Sequence, residues 1–322
     1  MKAAVIQGYG GTDRFEIQDL PCPEPGSGEI LIRLRAAGVN PLDWKIRQGK
    51  LRYVMPARFP LVLGFDAAGV VEAVGPEVTG FEPGDRVYAY LDRRHGGAYA
   101  GFAVTREAVA APIPESLSFE EAAAIPLASL TALQALRDKG EVQPGDEVLI
   151  NGASGGVGHF AVQIARILGA RVTAVASGPH REMLLALGAD RFIDYQEEDF
   201  LERDETYRII FDVVGNLSFQ ECDPLLAEHG VYITTQTGPG AWLASVKTSF
   251  AAGFSEEARK SRVIVVHPDG ADLDEISGWV ARGLLRPAID QVFPLEEIGK
   301  AHEAVESGHT RGKVVIRIEG AD

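Results

Sequence analysis

Cysteine is scarce: Cys22 and Cys222 are the only two in 322 residues. A multi-disulfide framework and a four-thiolate metal site are therefore excluded, and a reducing compartment suits the chain. Positive charge is in deficit, with 31 Lys and Arg against 46 Asp and Glu, a formal net charge of −15. That balance disfavours non-specific attraction to nucleic acid or anionic lipid, while leaving room for a local basic pocket that holds one phosphate. Long apolar runs are missing too. No stretch approaches the ~18 uninterrupted apolar residues of a membrane span; the most apolar windows are broken by Asp66, Glu72 and Pro126. Residues 1–8 read as a short strand entering a glycine-rich turn, without the apolar core and small-residue cleavage site of a signal peptide. These absences read as a soluble, cytoplasmic protein. What is present, 46% hydrophobic and 24% charged residues, is globular composition with a sizeable core. The length suits two domains.

The pattern of the chain changes twice. Residues 1–115 carry short apolar runs at 29–35, 67–74, 86–90 and 102–106, separated by turns such as Pro23-Glu-Pro-Gly26 and Glu82-Pro-Gly-Asp85. Many short strands in a β-rich domain are implied. Ser118-Phe-Glu-Glu121 then forms a capping box, opening a helix over 122–137 that bends or restarts at Pro126. Strands at 147–151, 171–176, 192–193, 209–213, 231–235 and 263–267 alternate with helical stretches at 157–168, 182–187 and 224–228. Such alternation implies a doubly wound parallel sheet of Rossmann type. The tail from residue 285 mixes short strands with one helix over 295–307, whose Ile298, Ala301, His302 and Val305 share a face. The α/β arrangement that follows is a β-rich domain of 1–120 plus 268–322, interrupted by a dinucleotide domain of 121–267.

Asn151-Gly-Ala-Ser-Gly-Gly-Val-Gly158 follows a strand and opens a helix, the context a dinucleotide-binding loop requires. Gly155 lets the backbone approach a pyrophosphate, and Gly158 lets the helix pack close to the strand. The helix start offers free N–H groups and a positive dipole end to the diphosphate, so Ala153, Ser154, Gly155, Gly156 and Val157 are candidate contacts. Ala153 stands where the fingerprint usually has its first glycine. NAD-preferring sites place an acid roughly 20 positions on, to bind the ribose 2′-hydroxyl. Here that point is Ser177 (177 − 158 = 19), followed by His180 and Arg181, with no carboxylate. A hydroxyl and a guanidinium suit a 2′-phosphate, so the expected cofactor is NADPH.

The chain resembles the zinc-independent medium-chain dehydrogenase/reductases, in their quinone oxidoreductase-like branch. The resemblance rests on Asn40-Pro-Leu-Asp-Trp-Lys45, Pro60-Leu-Val-Leu-Gly-Phe-Asp-Ala-Ala-Gly-Val-Val71, Pro83-Gly-Asp-Arg-Val87 and residues 151–158. Leu187-Gly-Ala-Asp190, Phe211-Asp-Val-Val-Gly215 and Arg311-Gly-Lys-Val-Val315 continue it in the family's order. It implies a GroES-like catalytic domain with a Rossmann domain inserted. Zinc enzymes of this fold have a cysteine near the position of Asn40 and a His-Glu pair near Phe65-Asp66, and their cysteine-rich structural-zinc loop has no counterpart here. Catalytic zinc needs about three N, S or O ligands, and the seven histidines are scattered without ligand spacing; no metal is expected.

The resemblance further implies NADPH-dependent reduction of a quinone or an α,β-unsaturated carbonyl. Hydride from the nicotinamide reaches the β carbon, and the developing enolate needs only hydrogen-bond donors and a proton. It assigns Asn40 to the nicotinamide ribose, Thr131 to the nicotinamide side, and Tyr195 to the adenine. Val214 and Gly215 would line the strand ends, with Gln236 and Thr237 beyond. Tyr53 is the candidate proton donor, with Tyr99 and Lys45 as other candidates and water as a further source. By analogy with the family the chain forms a homodimer, through residues 242–254 or the strand at 263–267. The competing class is a non-catalytic NADPH-binding sensor or scaffold, which the same fold could serve.

Overall fold

A computed structural model describes residues 1–251 and 258–318. The chain divides into two compact units, Met1–Leu130 with Pro268–Asp322, and Thr131–His267. The change in sequence pattern near residue 118 thus precedes the junction by about one helix.

The first unit opens with β1 (Lys2–Ile6), β2 (Phe15–Asp19), β3 (Glu29–Val39), α1 (Pro41–Arg47) and β4 (Leu61–Val62). It continues with β5 (Asp66–Val74), β6 (Arg86–Tyr90), β7 (Phe102–Arg106), β8 (Ala110–Pro112), α2 (Phe119–Ala123) and the start of α3 (Pro126–Leu133), whose residues from Thr131 on fall in the second unit. β3 is the spine. It pairs antiparallel with both β5 and β7, and its buried Ile30, Ile32, Leu34, Ala36 and Ala37 explain its near-continuous apolar sequence. The capping box at α2 forms: Glu121 N–H donates to Ser118 Oγ at 3.2 Å, and Ser118 N–H to the Glu121 carboxylate at 2.8 Å. Pro126 starts α3 as a first-turn residue, so the helix restarts there.

The second unit contains β9 (Glu147–Asn151), α4 (Gly158–Ile167), β10 (Arg171–Ala176), α5 (Arg181–Ala186), β11 (Arg191–Asp194) and β12 (Tyr207–Asp212). α6 (Phe219–Cys222), β13 (Leu226–Thr234), α7 (Pro239–Ala251) and β14 (Lys260–Val263) complete it. The strand order is β11-β10-β9-β12-β13-β14, every pairing parallel. Strand order reverses at β9, so the ends of β9 and β12 flank a topological switch point, where ligands bind in such sheets. Two local expectations fail. Residues 224–228 form no α-helix: a single 3₁₀ turn over Asp223–Leu225 leads into β13, which starts at the buried Leu226 and pairs with Tyr207 ahead of a bulge. The last strand is Lys260–Val263 rather than 263–267, because the buried Ser261 and Val263 alternate inward against β13. Residues 252–254 of the segment expected at a dimer edge lie outside the described residues.

The chain returns to the first unit through α8 (Gly270–Ala281), β15 (Ile289–Pro294), α9 (Ile298–Glu306) and β16 (Lys313–Arg317). Tyr88 on β6 pins α8, its hydroxyl donating to the Leu273 carbonyl at 2.8 Å and lying 2.9 Å from Ser277 Oγ. β16 closes against β3, pairing Val314 with Val39. α9 buries Ile298, Ala301 and His302 as the sequence face implies.

Candidate active site

The loop between β9 and α4 is shaped by close approach. Gly152 has φ +80°, and a Cβ there would lie 2.5 Å from Val214 Cγ2. A Cβ on Gly158 would stand 2.1 Å from the Gly152 carbonyl oxygen, so no other residue fits between helix and loop. Gly155 N–H donates to the Gly152 carbonyl at 3.2 Å, and the His159 ring nitrogen Nδ1 lies 2.9 Å from the Gly155 carbonyl. Ala153 is fully buried, whereas Ser154, Gly155, Gly156 and Val157 stay partly exposed at the start of α4. This is a cradle of backbone amides at the positive end of a ten-residue helix, which fits a diphosphate.

Behind it stands a residue to which the sequence assigned no role. Asp212, fully buried at the end of β12, accepts from Asn151 Nδ2 and Gly215 N–H, both at 2.9 Å. Its other oxygen accepts from Leu217 N–H and the Tyr232 hydroxyl, both at 3.1 Å. Asn151 also reaches Asn216 Oδ1 at 2.8 Å. One carboxylate thus ties the start of the glycine loop to the turn carrying Val214 and Gly215. Val214 is 59% exposed and Gly215 is buried at φ +77°. Gln236 donates its side-chain amide to the Gly215 carbonyl, and Thr237 follows on the exposed surface. Thr131 is buried, and Tyr195 is 55% exposed beyond β11. Ser177 follows the last residue of β10 and Arg181 opens α5, its guanidinium 5.5 Å from the Phe192 ring centroid. Asp194 approaches the same turn, since a Cβ on Gly178 would lie 2.5 Å from its Oδ2. Sequence spacing along one strand could not reveal that acid, because it arrives from the neighbouring β11.

In the first unit Asn40 sits at the end of β3 and caps α1, only 2% exposed. Its backbone N–H donates to Asp43 Oδ2 at 2.7 Å, and its side-chain Nδ2 donates to Asp66 Oδ2 at 2.9 Å. Lys313 at the start of β16 completes a triangle: Nζ donates to Asn40 Oδ1 and, at 2.9 Å, to Asp66 Oδ2. Leu127 N–H donates to the other Asp66 oxygen at 2.7 Å. Lys313 is 3% exposed and Asp66 fully buried, so this ion pair lies out of water.

The triangle borders a second buried group. The Tyr99 hydroxyl donates to Asp43 Oδ2 at 2.9 Å, while Asp43 Oδ1 has no partner among the described residues. Burial pushes the Asp43 carboxyl up to about 7, against the lowering effect of those hydrogen bonds. Tyr99 is fully buried with its phenol pushed far up, first by burial and then by the Asp43 charge, and its hydroxyl proton is directed at Asp43. His302 packs edge-on against Phe15 and Tyr99 and meets Arg47 Nε at 3.3 Å. Burial, then the Arg47 charge, lowers its pKa to about 3, so it is a neutral packing residue near neutrality. Tyr53 stands apart from this network, 85% exposed, with its hydroxyl accepting from Arg52 at 3.0 Å.

Comparison with known proteins places this geometry. A family model described as an alcohol dehydrogenase GroES-like domain matches residues 26–115, and one described as a zinc-binding dehydrogenase matches 187–316. The chain is 33% identical to the chloroplast envelope quinone oxidoreductase homolog of Arabidopsis thaliana, over 98% of each. It is 31% identical to that plant's chloroplastic NADPH-dependent alkenal/one oxidoreductase, over 98% of this chain and 79% of the relative. The quinone oxidoreductase of Coxiella burnetii superposes with a TM-score of 0.87 at 33% identity, covering 99% of both chains. Escherichia coli quinone oxidoreductase complexed with NADPH superposes at 0.83 and 27% identity, over 98% of this chain and 100% of that one. The chain belongs to the medium-chain dehydrogenase/reductase family, with quinone oxidoreductases among its relatives. Where zinc ligands would stand, Asn40 and Asp66 are occupied by the Lys313 ammonium, and among the described residues no three His, Cys, Asp or Glu side chains could hold a metal together.

Proposed function

We propose that the protein is an NADPH-dependent reductase of quinones or α,β-unsaturated carbonyls that works without zinc. The observation that carries this reading is the close-packed glycine loop: a Cβ on Gly152 or Gly158 would collide with Val214 or with the Gly152 carbonyl, so the loop folds tightly onto the start of α4 and leaves Ser154, Gly155, Gly156 and Val157 partly exposed there. NADPH, when bound, supplies hydride at its nicotinamide C4. The protein's part is to bind and orient. The start of α4 would hold the diphosphate through residues 153–157, and Asp212 would fix the Val214–Gly215 turn beside it. Ser177 and Arg181 would take the 2′-phosphate, with Asp194 near enough to weaken that preference. Tyr195 would lie against the adenine, and Thr131, Gln236, Thr237 and Asn40 would serve the nicotinamide half.

Tyr53 is the proposed proton donor to the enolate, since its hydroxyl reaches solvent and is already polarised by the Arg52 guanidinium. The likeness to quinone and alkenal/one oxidoreductases supports these acceptors. A homodimer and a cytoplasmic location belong to the same reading; no described helix is long and apolar enough to cross a membrane. A panel of quinones and enones, scored by NADPH and NADH oxidation, tests the proposal. Acceptor-dependent oxidation with NADPH preferred is expected. Tight NADPH binding with no oxidation by any acceptor would favour the sensor alternative.

A further inference from the structure

The chain is acidic overall, and many of its surface cations sit beside acids. Arg106 pairs with Asp92, Arg166 with Asp190 at 3.1 Å, Arg203 with Glu198 at 2.5 Å and Arg317 with Glu120 at 2.8 Å. One segment gathers cations without acids. Between Asp43 and Asp66 there is no acidic residue, yet Lys45, Arg47, Lys50, Arg52 and Arg58 all fall there. Arg47 is buried and paired with Glu306. The other four are exposed, and none has an acidic partner among the described residues.

Three of them stand against aromatic rings instead, and Arg58 lies six residues beyond Arg52 in the same acid-free stretch. Lys50 Nζ lies 4.4 Å and Lys45 Nζ 5.7 Å from the Trp44 ring centroid, and the Arg52 guanidinium lies 4.9 Å from that of Tyr53. Desolvation of its ammonium, then the Lys50 charge, lowers the Lys45 pKa although the side chain as a whole is exposed, which marks two cations held close without an anion. Tyr9 clamps both ends of the segment. Its ring packs beneath Gly49, which has φ +73°, and its hydroxyl accepts from Ala57 N–H at 3.1 Å. Between the clamps Tyr53 and Val54 project, 85% and 76% exposed.

Unpaired cations flanking an exposed aromatic ring, in a protein of net charge −15, form a local attractor for a planar, negatively charged molecule. We propose that the electron acceptor carries an anionic group, a carboxylate, sulfonate or phosphate on the quinone or enone body, and that Lys45, Lys50, Arg52 and Arg58 recognise it beside Tyr53. This rests on the reductase reading above, with Tyr53 facing the acceptor. An anionic membrane surface is the weaker occupant, because the rest of the acidic protein would be repelled by it.

The test compares naphthoquinone-2-sulfonate with neutral naphthoquinone, so that a ratio cancels intrinsic reactivity. In the wild type, raising salt from about 20 to about 300 mM should lower the sulfonate-to-neutral ratio of kcat/KM several-fold. The variant K50A/R52A/R58A should lower that ratio at low salt about tenfold or more, whereas Arg166→Ala, which removes an acid-paired arginine, should leave it unchanged. Equal ratios in wild type and triple variant would overturn the proposal. Equilibrium binding of the sulfonate, read by quenching of tryptophan fluorescence, separates the two readings. Saturable binding that the triple variant loses supports anion recognition even without turnover, and no binding overturns it. Replacing the sulfonate by a carboxylate or a phosphate ester, with inorganic phosphate as competitor, distinguishes the anion. Co-sedimentation with phosphatidylglycerol vesicles, unaccompanied by sulfonate binding, would contradict the proposal.

Discussion

Asp66 and Asp212 are the same residue buried to the same degree, and the protein satisfies them in opposite ways. Asp66, the first residue of β5, takes a full counter-charge from Lys313, joined by the Asn40 amide and the Leu127 N–H. Asp212, the last residue of β12, takes four neutral donors, two of them backbone amides of its own turn. The ion pair desolvates a second charge and ties together residues 40, 66, 127 and 313, remote in sequence. The dipoles involve mainly a local turn and leave the carboxylate as the hub of a loop. Burial of an acid therefore does one job in the β-rich unit, fixing segments, and another in the dinucleotide unit, shaping a cradle.

Lys313→Met should produce the largest effect. It leaves Asp66 charged beside Asp43 with no cation, and loss of about 3–5 kcal/mol in urea unfolding is expected. Adding Asp66→Asn should recover a substantial part; a single variant within about 1 kcal/mol of wild type would show that the pair carries no such role. Asp212→Asn should cost less, about 1–3 kcal/mol, because one amide N–H₂ would then face donors that require an acceptor. It should also weaken NADPH binding severalfold in a fluorescence titration; unchanged affinity would detach the hub from the cradle.

The same contrast can be sharpened by pH, since the first unit holds two groups that titrate in opposite directions. Asp43 is raised from its ordinary 3.8 to about 7, so its contribution is intact below pH ~4 and is lost as pH rises through about 7. His302 is lowered from 6.5 to about 3, so its contribution is present above pH ~6.5 and is lost as pH falls through about 3. Between pH ~4 and ~6.5 the two slopes oppose each other. Asp43→Asn should give a Tm that rises with pH across that range relative to wild type, and His302→Gln one that falls. Identical Tm profiles for all three proteins would refute the assignment. The smallest effect is expected at Arg181, exposed at the start of α5. Arg181→Ala should raise the Michaelis constant for NADPH by several-fold to about tenfold with little change for NADH, an exposed charge-assisted contact being worth about 1 kcal/mol. Equal changes for both nucleotides would point to packing against Phe192 instead.

Much of this was readable from residues in order. The glycine loop, the capping box at Ser118, the alternating strands and the buried face of α9 all declare themselves through local spacing. α1, α7 and α8 did not, since α1 is seven residues long and α7 and α8 show little amphipathic contrast against their surroundings. The ion-pair triangle was illegible for another reason. Asn40 and Lys313 are 273 residues apart and meet only because β16 pairs with β3. Asp194 likewise reaches Gly178 through the pairing of β11 with β10, which no count along one strand supplies.

The central claim is hydride transfer from NADPH to a conjugated acceptor. It is tested most directly by incubating the protein with NADPH deuterated at C4, separately on each face, and an enone, then locating the label by mass spectrometry and NMR. The account predicts one deuterium at the β carbon of the saturated product, from one of the two faces only. Enone recovered unreduced, or product carrying no label from either cofactor, would contradict it.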